Sequence, residues 1–532
     1  MNEVKIKRVL ISVSDKTGII DLARKLLEYK CEIISTGGTR RILEEAGIRT
    51  TEISAVTGNP EAFGGRMKTI SFAIESALLF DREKDKKEAQ ALGILPIDLV
   101  VCNLYPFQKK RTAGAELPEL IENIDIGGPT MLRAAAKNYK WVATLTDIAD
   151  YPGFLTELEQ RQGKTSEEFR FELMRKTFNH TANYDSAIAL AMDEKSSIKS
   201  QRLYFTNGTK LRYGENSHQE AYIYEDPSCS GSLAALECLH GKDISYNNIL
   251  DIEAAVSAVS GFPQQAVAVV KHLNTCGFAC GEKQHQVFEQ AWSGDPVSAF
   301  GSIIAFNQKL TLQTVEFLQL NALDKSVRKF IEVIIAPDFD EKALSYLKFH
   351  KNLRIVRYDP ARMQKEIEHR LVYGSLLQQT SDNRLLDKLE QVTISEQNDV
   401  DSELVEFGLC AVRNIRSNAI VIVQRTKDNI CRLLGMGTGQ PNRLISTKLA
   451  IDKARENLLR EVTDIEIAEI FATCILVSDA YFPFADNIEI AAEKGIRIIV
   501  QPGGSLRDKA VIKRAEELGV QMILTGLRHF KH

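Results

Sequence analysis

Five small apolar residues, Ala266-Val267-Ala268-Val269-Val270, lead directly into Lys271-His272 and then into Asn274-Thr275-Cys276-Gly277. An apolar run ending in an amine and an imidazole is how a parallel sheet delivers reactive groups to the crevice beyond its strand ends, with the Asn-to-Gly stretch as a loop. A neutral imidazole can take a proton from an attacking nucleophile, and an ammonium can steady the oxyanion that the attack creates. Successive side chains of a regular strand face opposite ways, so the pair serves one centre only if the strand ends at or before Lys271. Taken alone, a Lys-His dipeptide in a loop is an ordinary surface feature.

A second set of candidates lies nearer the N-terminus. Ser12-Val13-Ser14-Asp15-Lys16-Thr17-Gly18 and Ser35-Thr36-Gly37-Gly38-Thr39 each fall between a strand pattern and a helix pattern. Free backbone N–H groups and the positive end of the helix dipole favour an anion there, and two such loops at consecutive strand ends point to a phosphate cradle. The order Lys-Thr-Gly is not the Walker arrangement, so ATP hydrolysis is not implied. Gly64-Gly65-Arg66-Met67-Lys68-Thr69 adds a flexible basic segment, and Tyr105 follows another strand. Asp125-Ile126-Gly127-Gly128-Pro129 opens a helix that carries Lys137 some three turns later. The only histidine before residue 200 is His180, which leaves acid–base chemistry in this half to lysine, tyrosine and aspartate. Singly, each of these is more often a cap, a surface lysine or a half-buried phenol.

The elements that must hold these residues alternate. Strand patterns at Val9–Val13, Cys31–Ser35, Asp98–Cys102 and Trp141–Leu145 are separated by helical ones, including Ile19–Tyr29 and one beginning near Thr39. That alternation predicts a doubly wound, parallel α/β sheet. Helical patterns over 151–192 end in a polar stretch, 193–201, and the domain boundary is placed there, giving 1–198 and 199–532. Strands are predicted at 267–270, 302–306, 331–335, 419–423, 474–478 and 496–500, and the polar tract 378–402 divides two lobes, about 199–377 and 378–532. A chain of 532 residues with 44% hydrophobic and 26% charged residues has ample core for this. Its net charge of −4, with lysine and arginine spread throughout, argues against nucleic acid as a partner. No apolar run approaches the roughly 20 residues of a membrane span. Nine cysteines without a C-x-x-C point to a reduced, cytoplasmic setting and away from structural zinc. His218-Gln219-Glu220 has the H-x-E of zinc deaminases without their P-C-x-x-C, and Gly435-x-Gly437-x-Gly439 is a weak nucleotide signal.

Taken together, SVSDKTGI, STGGT, GRMKT, NLYPF and IDIGGPTMLRAAAKN resemble the cyclohydrolase half of the bifunctional AICAR formyltransferase/IMP cyclohydrolase family. The resemblance implies a methylglyoxal-synthase-like domain in which Lys68, Tyr105, Asp125 and Lys137 carry cyclisation. The two loops and Arg66 would then bind the nucleotide, through Ser12, Ser14, Lys16, Thr17, Gly18 and the stretch from Ser35 through Thr36, Gly37 and Gly38 to Thr39. One segment departs from the family. Where relatives follow GRxKT with His-Pro and then His-Gly-Gly, this chain has Thr69-Ile70-Ser71-Phe72-Ala73-Ile74-Glu75-Ser76-Ala77. The departure keeps open an alternative, a monofunctional transferase whose N-terminal half is a nucleotide-binding or structural module.

The second half resembles the same family to its last residue, through LRYGENSHQ, SYNN with Asp251, Lys271-His272, GDPVSAFG, SNAIV, GMGTGQ, SDAYFPFAD, QPGGS and TGLRHFKH. The resemblance implies formyl transfer from 10-formyltetrahydrofolate to AICAR, with no metal in the chemistry, followed by closure to IMP. It implies His272 as base, Lys271 as oxyanion cation and Asn418 at the same centre. Arg212, Tyr213, Arg443, Arg528 and the terminal His532 would contact the nucleotide, and Asp486 with Tyr481 the folate. The ring cluster Tyr481-Phe482-Pro483-Phe484, bracketed by Asp479 and Asp486, suits a flat heterocycle held between a ring and a carboxylate. The family's second half has cytidine-deaminase-like lobes without catalytic zinc and completes its transferase site by homodimerisation. Ser217, Thr275, Ser302 and Tyr481 replace the family's usual residues, and no proposed catalytic residue is lost.

Overall fold

The computed structural model describes residues 3–63, 66–196, 199–227, 232–363, 366–394 and 400–532. Gly64-Gly65 of the basic segment, 197–198 at the expected boundary and 395–399 of the polar tract lie outside the described residues. The chain divides into two compact units, Met1–Tyr204 and Phe205–His532. No helix among the described residues is long and apolar enough to cross a membrane.

The first unit is built on five parallel strands: β1 (Arg8–Ile11), β2 (Glu32–Ser35), β3 (Thr51–Glu52), β4 (Leu99–Val101) and β5 (Ala143–Leu145), in the order β3-β2-β1-β4-β5. Helices cover both faces, so β4 and, beyond Arg8, β1 are apolar without alternation and buried. Helix α1 (Ile19–Glu28) buries Ile19, Leu22, Ala23 and Leu26, a single stripe at helical spacing. Helix α2 starts at Gly37, two residues earlier than predicted, and runs to Glu45. The family-divergent segment forms α3 (Phe72–Leu79), capped by the Ser71 hydroxyl, which accepts from the Ile74 N–H, and anchored by buried Ile74, Ala77 and Leu78. Helix α4 (Gly127–Lys137) follows Asp125. The helical stretch predicted over 151–192 is two helices, α5 (Tyr151–Gln160) and α6 (Glu167–Glu194).

The second unit carries one twelve-stranded mixed sheet. After helix α7 (Tyr246–Val259) its first half contains β6 (Gln265–Lys271), β7 (Asn274–Gly281), α8 (Gln284–Ser293), β8 (Ser302–Phe306), β9 (Ile331–Ala336) and β10 (Arg354–Arg357). Two strands, β11 (Ile367–Val372) and β12 (Ser375–Thr380), form a separate hairpin. The second half contains α9 (Ser402–Arg413), β13 (Ile420–Arg425), β14 (Cys431–Gly437), α10 (Arg443–Leu458), β15 (Ile475–Ser478), α11 (Asp486–Glu493), β16 (Ile498–Gln501) and β17 (Gln521–Leu524). The halves repeat one topology: an antiparallel hairpin, an antiparallel third strand, then two parallel additions. They join edge to edge where β7 pairs antiparallel with β14, at Ala279–Arg432 and Cys280–Cys431.

This topology corrects the expectation for the Lys271 strand. Strand β6 is antiparallel to both of its neighbours, and Asn274–Gly277, expected as a loop, begins β7. The apolar run is buried on both faces because helices cover this sheet too, and such a run looks alike in parallel and antiparallel sheets.

Candidate functional site

In the first unit the residues gather at the carboxyl ends of the parallel strands. The Ser12–Gly18 loop is fixed by Asn103, whose side-chain oxygen accepts from the N–H groups of Ser14 (2.6 Å) and Asp15 (2.8 Å). The Ser12 and Thr36 hydroxyls lie 3.1 Å apart, and the Thr39 hydroxyl bridges to Val13, so the two loops form one surface. Lys16 donates to the carbonyls of Val13 and Ser14. Burial, with Lys68 nearby, holds its amine below the ordinary lysine range, although Asp15 pulls the other way. Thr36 makes no side-chain cap to α2, which leaves the first N–H groups of that helix available to an anion. Lys68 reaches this helix start, its ammonium 3.8 Å from where a Cβ on Gly37 would stand and 3.9 Å from Glu61. Arg66 is turned aside into a surface ion pair with Glu122.

Asp125 sits beside them. Its carboxylate accepts from the Gly128 N–H (2.8 Å) and the Tyr105 N–H, and its own N–H donates to the Tyr184 hydroxyl. A Cβ at position 128 would lie 2.6 Å from both the Asp125 carboxylate and Leu104, so glycine there lets the carboxylate sit against the helix start. Tyr105 is 41% exposed, so its phenol is open to a ligand. Lys137 stands at the far end of α4, exposed. It ends α4 while Asp125 precedes its start, and ten residues of helix separate the two by about 15 Å. Lys137 therefore makes no direct contact with the Asp125 carboxylate.

In the second unit, Lys271 and His272 stand at a two-residue hairpin turn. Lys271 closes β6 against Asn274, and His272 (φ 52°) and Leu273 (φ 65°) both adopt left-handed backbone, the mark of a type I′ turn. Two non-glycine residues in that region cost on the order of 1–3 kcal/mol each. The offset comes from Asp251, on α7, whose carboxylate accepts from the N–H groups of Leu273 (2.6 Å) and His272 (3.2 Å). Burial pushes the Asp251 carboxyl above the usual range, while these two N–H groups draw it back down. His272 is left exposed, and the Lys271 ammonium donates to the Phe300 carbonyl at 2.7 Å. The strand thus ends at Lys271, the condition for the pair to serve one centre.

Neighbouring segments converge on this turn. Asn274 donates to the His272 carbonyl, and the Thr438 hydroxyl lies 3.0 Å from both the Asn274 side-chain oxygen and the Arg416 carbonyl. Asn418 donates to the carbonyls of Gln440 and Pro441. Gly437 permits β14 to lie on α10, since a Cβ would fall 1.9 Å from the Ser446 carbonyl. Beside them, fully buried Asp479 pairs with Arg443 (2.5 Å) and accepts from the Ser417 hydroxyl. The C-terminal segment is pinned here as well. The backbone N–H of His529 donates to the Asp479 carbonyl, that of Ser417 donates to the Lys531 carbonyl, and the Phe530 ring lies under Arg528 and Arg443, with His532 exposed beside it. The Arg212–Tyr213 loop is tied in through Asn247, which donates to the Glu215 carbonyl. Tyr481 is exposed, Phe482 belongs to the core, and Asp486 begins α11.

A family model described as the AICARFT/IMPCHase bienzyme matches residues 135–453, and one described as an MGS-like domain matches 18–130. The bifunctional purine biosynthesis protein PurH of Persephonella marina is 43% identical to the chain, covering 99% of it and 100% of the relative. PurH of Aquifex aeolicus is 42% identical with the same coverage. The chain belongs to the AICARFT/IMPCHase bienzyme family. A solved structure, that of ForH, aligns with 35% of the chain at 36% identity and a TM-score of 0.31, which carries no weight for the fold.

Matching these relatives across both of its units, the chain is a bifunctional purine-biosynthesis enzyme, an AICAR formyltransferase whose formyl transfer is folate-dependent and an IMP cyclohydrolase. End-to-end coverage sets aside the monofunctional alternative. The sequence did not single out Asp251, Asn103 or Thr438, whose hydrogen bonds hold the candidate loops in place. The only signal for Asp251 was its place five residues after Tyr246 in a motif shared with the family.

Asp125 supplies a pH test. Burial, its largest influence, holds the carboxyl above the usual range against the pull of Gly128, Tyr105 and Lys68. A carboxyl whose folded pKa exceeds its unfolded one contributes stability that is full below the unfolded value and is lost as pH rises through the folded value. Asp125→Asn cannot ionise. Its melting temperature relative to the native enzyme should therefore climb across that window and level off above it, as thermal unfolding from roughly pH 4 to 8 would register. A flat difference would refute the burial account.

Proposed function

We propose that the first unit performs the cyclisation and the second the formyl transfer from 10-formyltetrahydrofolate, with the second unit's repeated halves being cytidine-deaminase-like lobes. The Lys271-His272 turn clamped by Asp251 is the observation that supports this most. The AICAR 5-amine is a weak nucleophile, its lone pair delocalised into the ring. It gains from a base that takes its proton during attack on the formyl carbon, the role given to His272. Lys271 faces the oxygen on which charge develops, with Phe300 orienting it, and Asn418 steadies the same centre. Arg443, Arg528, Arg212 and Tyr213 hold the nucleotide, with Tyr481 and Asp486 holding the folate. In the first unit the loops, Lys16 and Lys68 hold the phosphate, and Asp125 and Tyr105 orient the carboxamide nitrogen that attacks the formyl carbon as water leaves.

The enzyme acts as a homodimer. The separation between Asp125 and Lys137 fits this in the first unit, with Lys137 supplied to the Asp125 centre by a second copy. Product identity tests the two-activity reading. Purified protein given AICAR and 10-formyltetrahydrofolate should yield IMP, and accumulation of formyl-AICAR instead would assign the first unit no turnover.

A further inference from the structure

We propose that strand β11, Ile367–Val372, pairs antiparallel with the same strand of a second copy, about a two-fold axis through His369, joining two hairpins into a four-stranded sheet. The inference deepens the homodimer reading above and rests on it. The hairpin of β11 and β12 is a two-stranded sheet, and among the described residues no third strand pairs with either edge. A two-stranded hairpin on its own is marginal in water and is stabilised by further strands or by packing. This one is exposed on both faces, with Ile367, Leu371 and Leu377 each about half exposed or more and Tyr373 at its tip fully exposed. Its turn, Tyr373-Gly374, has both residues at positive φ, so the register is fixed and β11 presents a regular outer edge.

The order of side chains along β11 selects the occupant. Exposed strand edges are commonly guarded by charge, which repels most partners. Here the charges are opposite and symmetrically placed, with Glu368 and Arg370 flanking His369. An antiparallel copy centred on His369 sets Glu368 against Arg370 of the second copy and Arg370 against its Glu368. On the other face the same register sets Ile367 against Leu371 twice. Each such cross-strand pair is favourable, and the arrangement is self-complementary, as an isologous contact must be. Among the described residues Arg370 has no carboxylate partner, and Glu368 accepts only from the neutral Gln379 side chain. The other edge strand, Ser375–Thr380, carries no charge and offers no comparable code.

Residues directly opposite across an antiparallel pair have Cα atoms within disulfide range, and His369 would face itself. His369→Cys should therefore convert to a covalent dimer under oxidised glutathione and return to single chains on reduction. The native enzyme and Gln378→Cys, on β12 away from the proposed seam, should not. Glu368→Arg and Arg370→Glu should each raise the dimer dissociation constant at least tenfold by sedimentation, and the double reversal should restore it. A native protein that sediments as a dimer but shows no His369→Cys cross-link, or ignores the single reversals, overturns this inference and leaves the homodimer intact. A native protein that sediments as a monomer overturns both.

Discussion

Replacing His272 with alanine is expected to lower formyl transfer at least about a hundredfold while cyclisation of supplied formyl-AICAR continues at the native rate. The loss corresponds to about 2.7 kcal/mol of transition-state stabilisation, within the range attributed to a positioned base. The exposed His272 ring contributes little to packing, and alanine at φ 52° carries much the same backbone strain, so the fold should be unaffected. His272→Asn sharpens the test, since asparagine tolerates left-handed backbone best and still lacks a base. It should fold at least as well and be equally inactive. Lys271→Ala should fail similarly through loss of the oxyanion cation. Asp251→Ala differs in kind, because it removes the acceptor that holds the turn rather than a group that meets substrate. There kcat should fall about tenfold, with the KM for AICAR moving less, in line with the loss of two hydrogen bonds to a carboxylate. A His272→Ala enzyme with near-native formyl transfer would remove the base from the scheme.

Much of this arrangement could be read from the chain, and the gaps have physical causes. Four of the five strands in the first unit's sheet fall within a residue or two of their patterns because β-α alternation with small polar loops is locally encoded, while the two-residue strand Thr51–Glu52 is too short to leave a pattern. The chemistry of Lys271-His272 was visible, but its geometry was not. A two-residue turn is usually announced by Asn-Gly or Gly, and His272-Leu273 offers neither. The glycine and asparagine lie instead in the following strand, where Gly277 is needed because a Cβ would stand 1.9 Å from the Ala291 carbonyl. That placement made a strand resemble a loop. Asp251 could not be foreseen as the clamp, since its partners are more than twenty positions away and its strain-relieving role exists only once the turn is known. Lys137 is the reverse case. The rise of an α-helix sets its Cα about 15 Å beyond the start of α4, a distance legible in the spacing alone.

That separation yields the second large effect. Lys137→Ala and Asp125→Asn should each abolish cyclisation in homodimers while formyl transfer persists. Lys137 is exposed at the end of α4 and Asp125→Asn preserves shape, so both variants should fold. If each centre takes Asp125 from one chain and Lys137 from the other, a mixed dimer contains one centre with both native residues and one with neither. Random assortment of equal amounts makes half of the dimers mixed. Co-expressing the two variants with different tags should therefore restore about a quarter of native cyclohydrolase activity, and purified mixed dimers about half. Single-chain centres predict otherwise, because every centre in the mixture would then lack one of the two residues. Complementation near a quarter, measured as IMP formed from formyl-AICAR, supports delivery of Lys137 by the second copy. Inactive mixtures from demonstrably mixed dimers would place Asp125 and Lys137 in the same chain's centre and remove the shared-site reading.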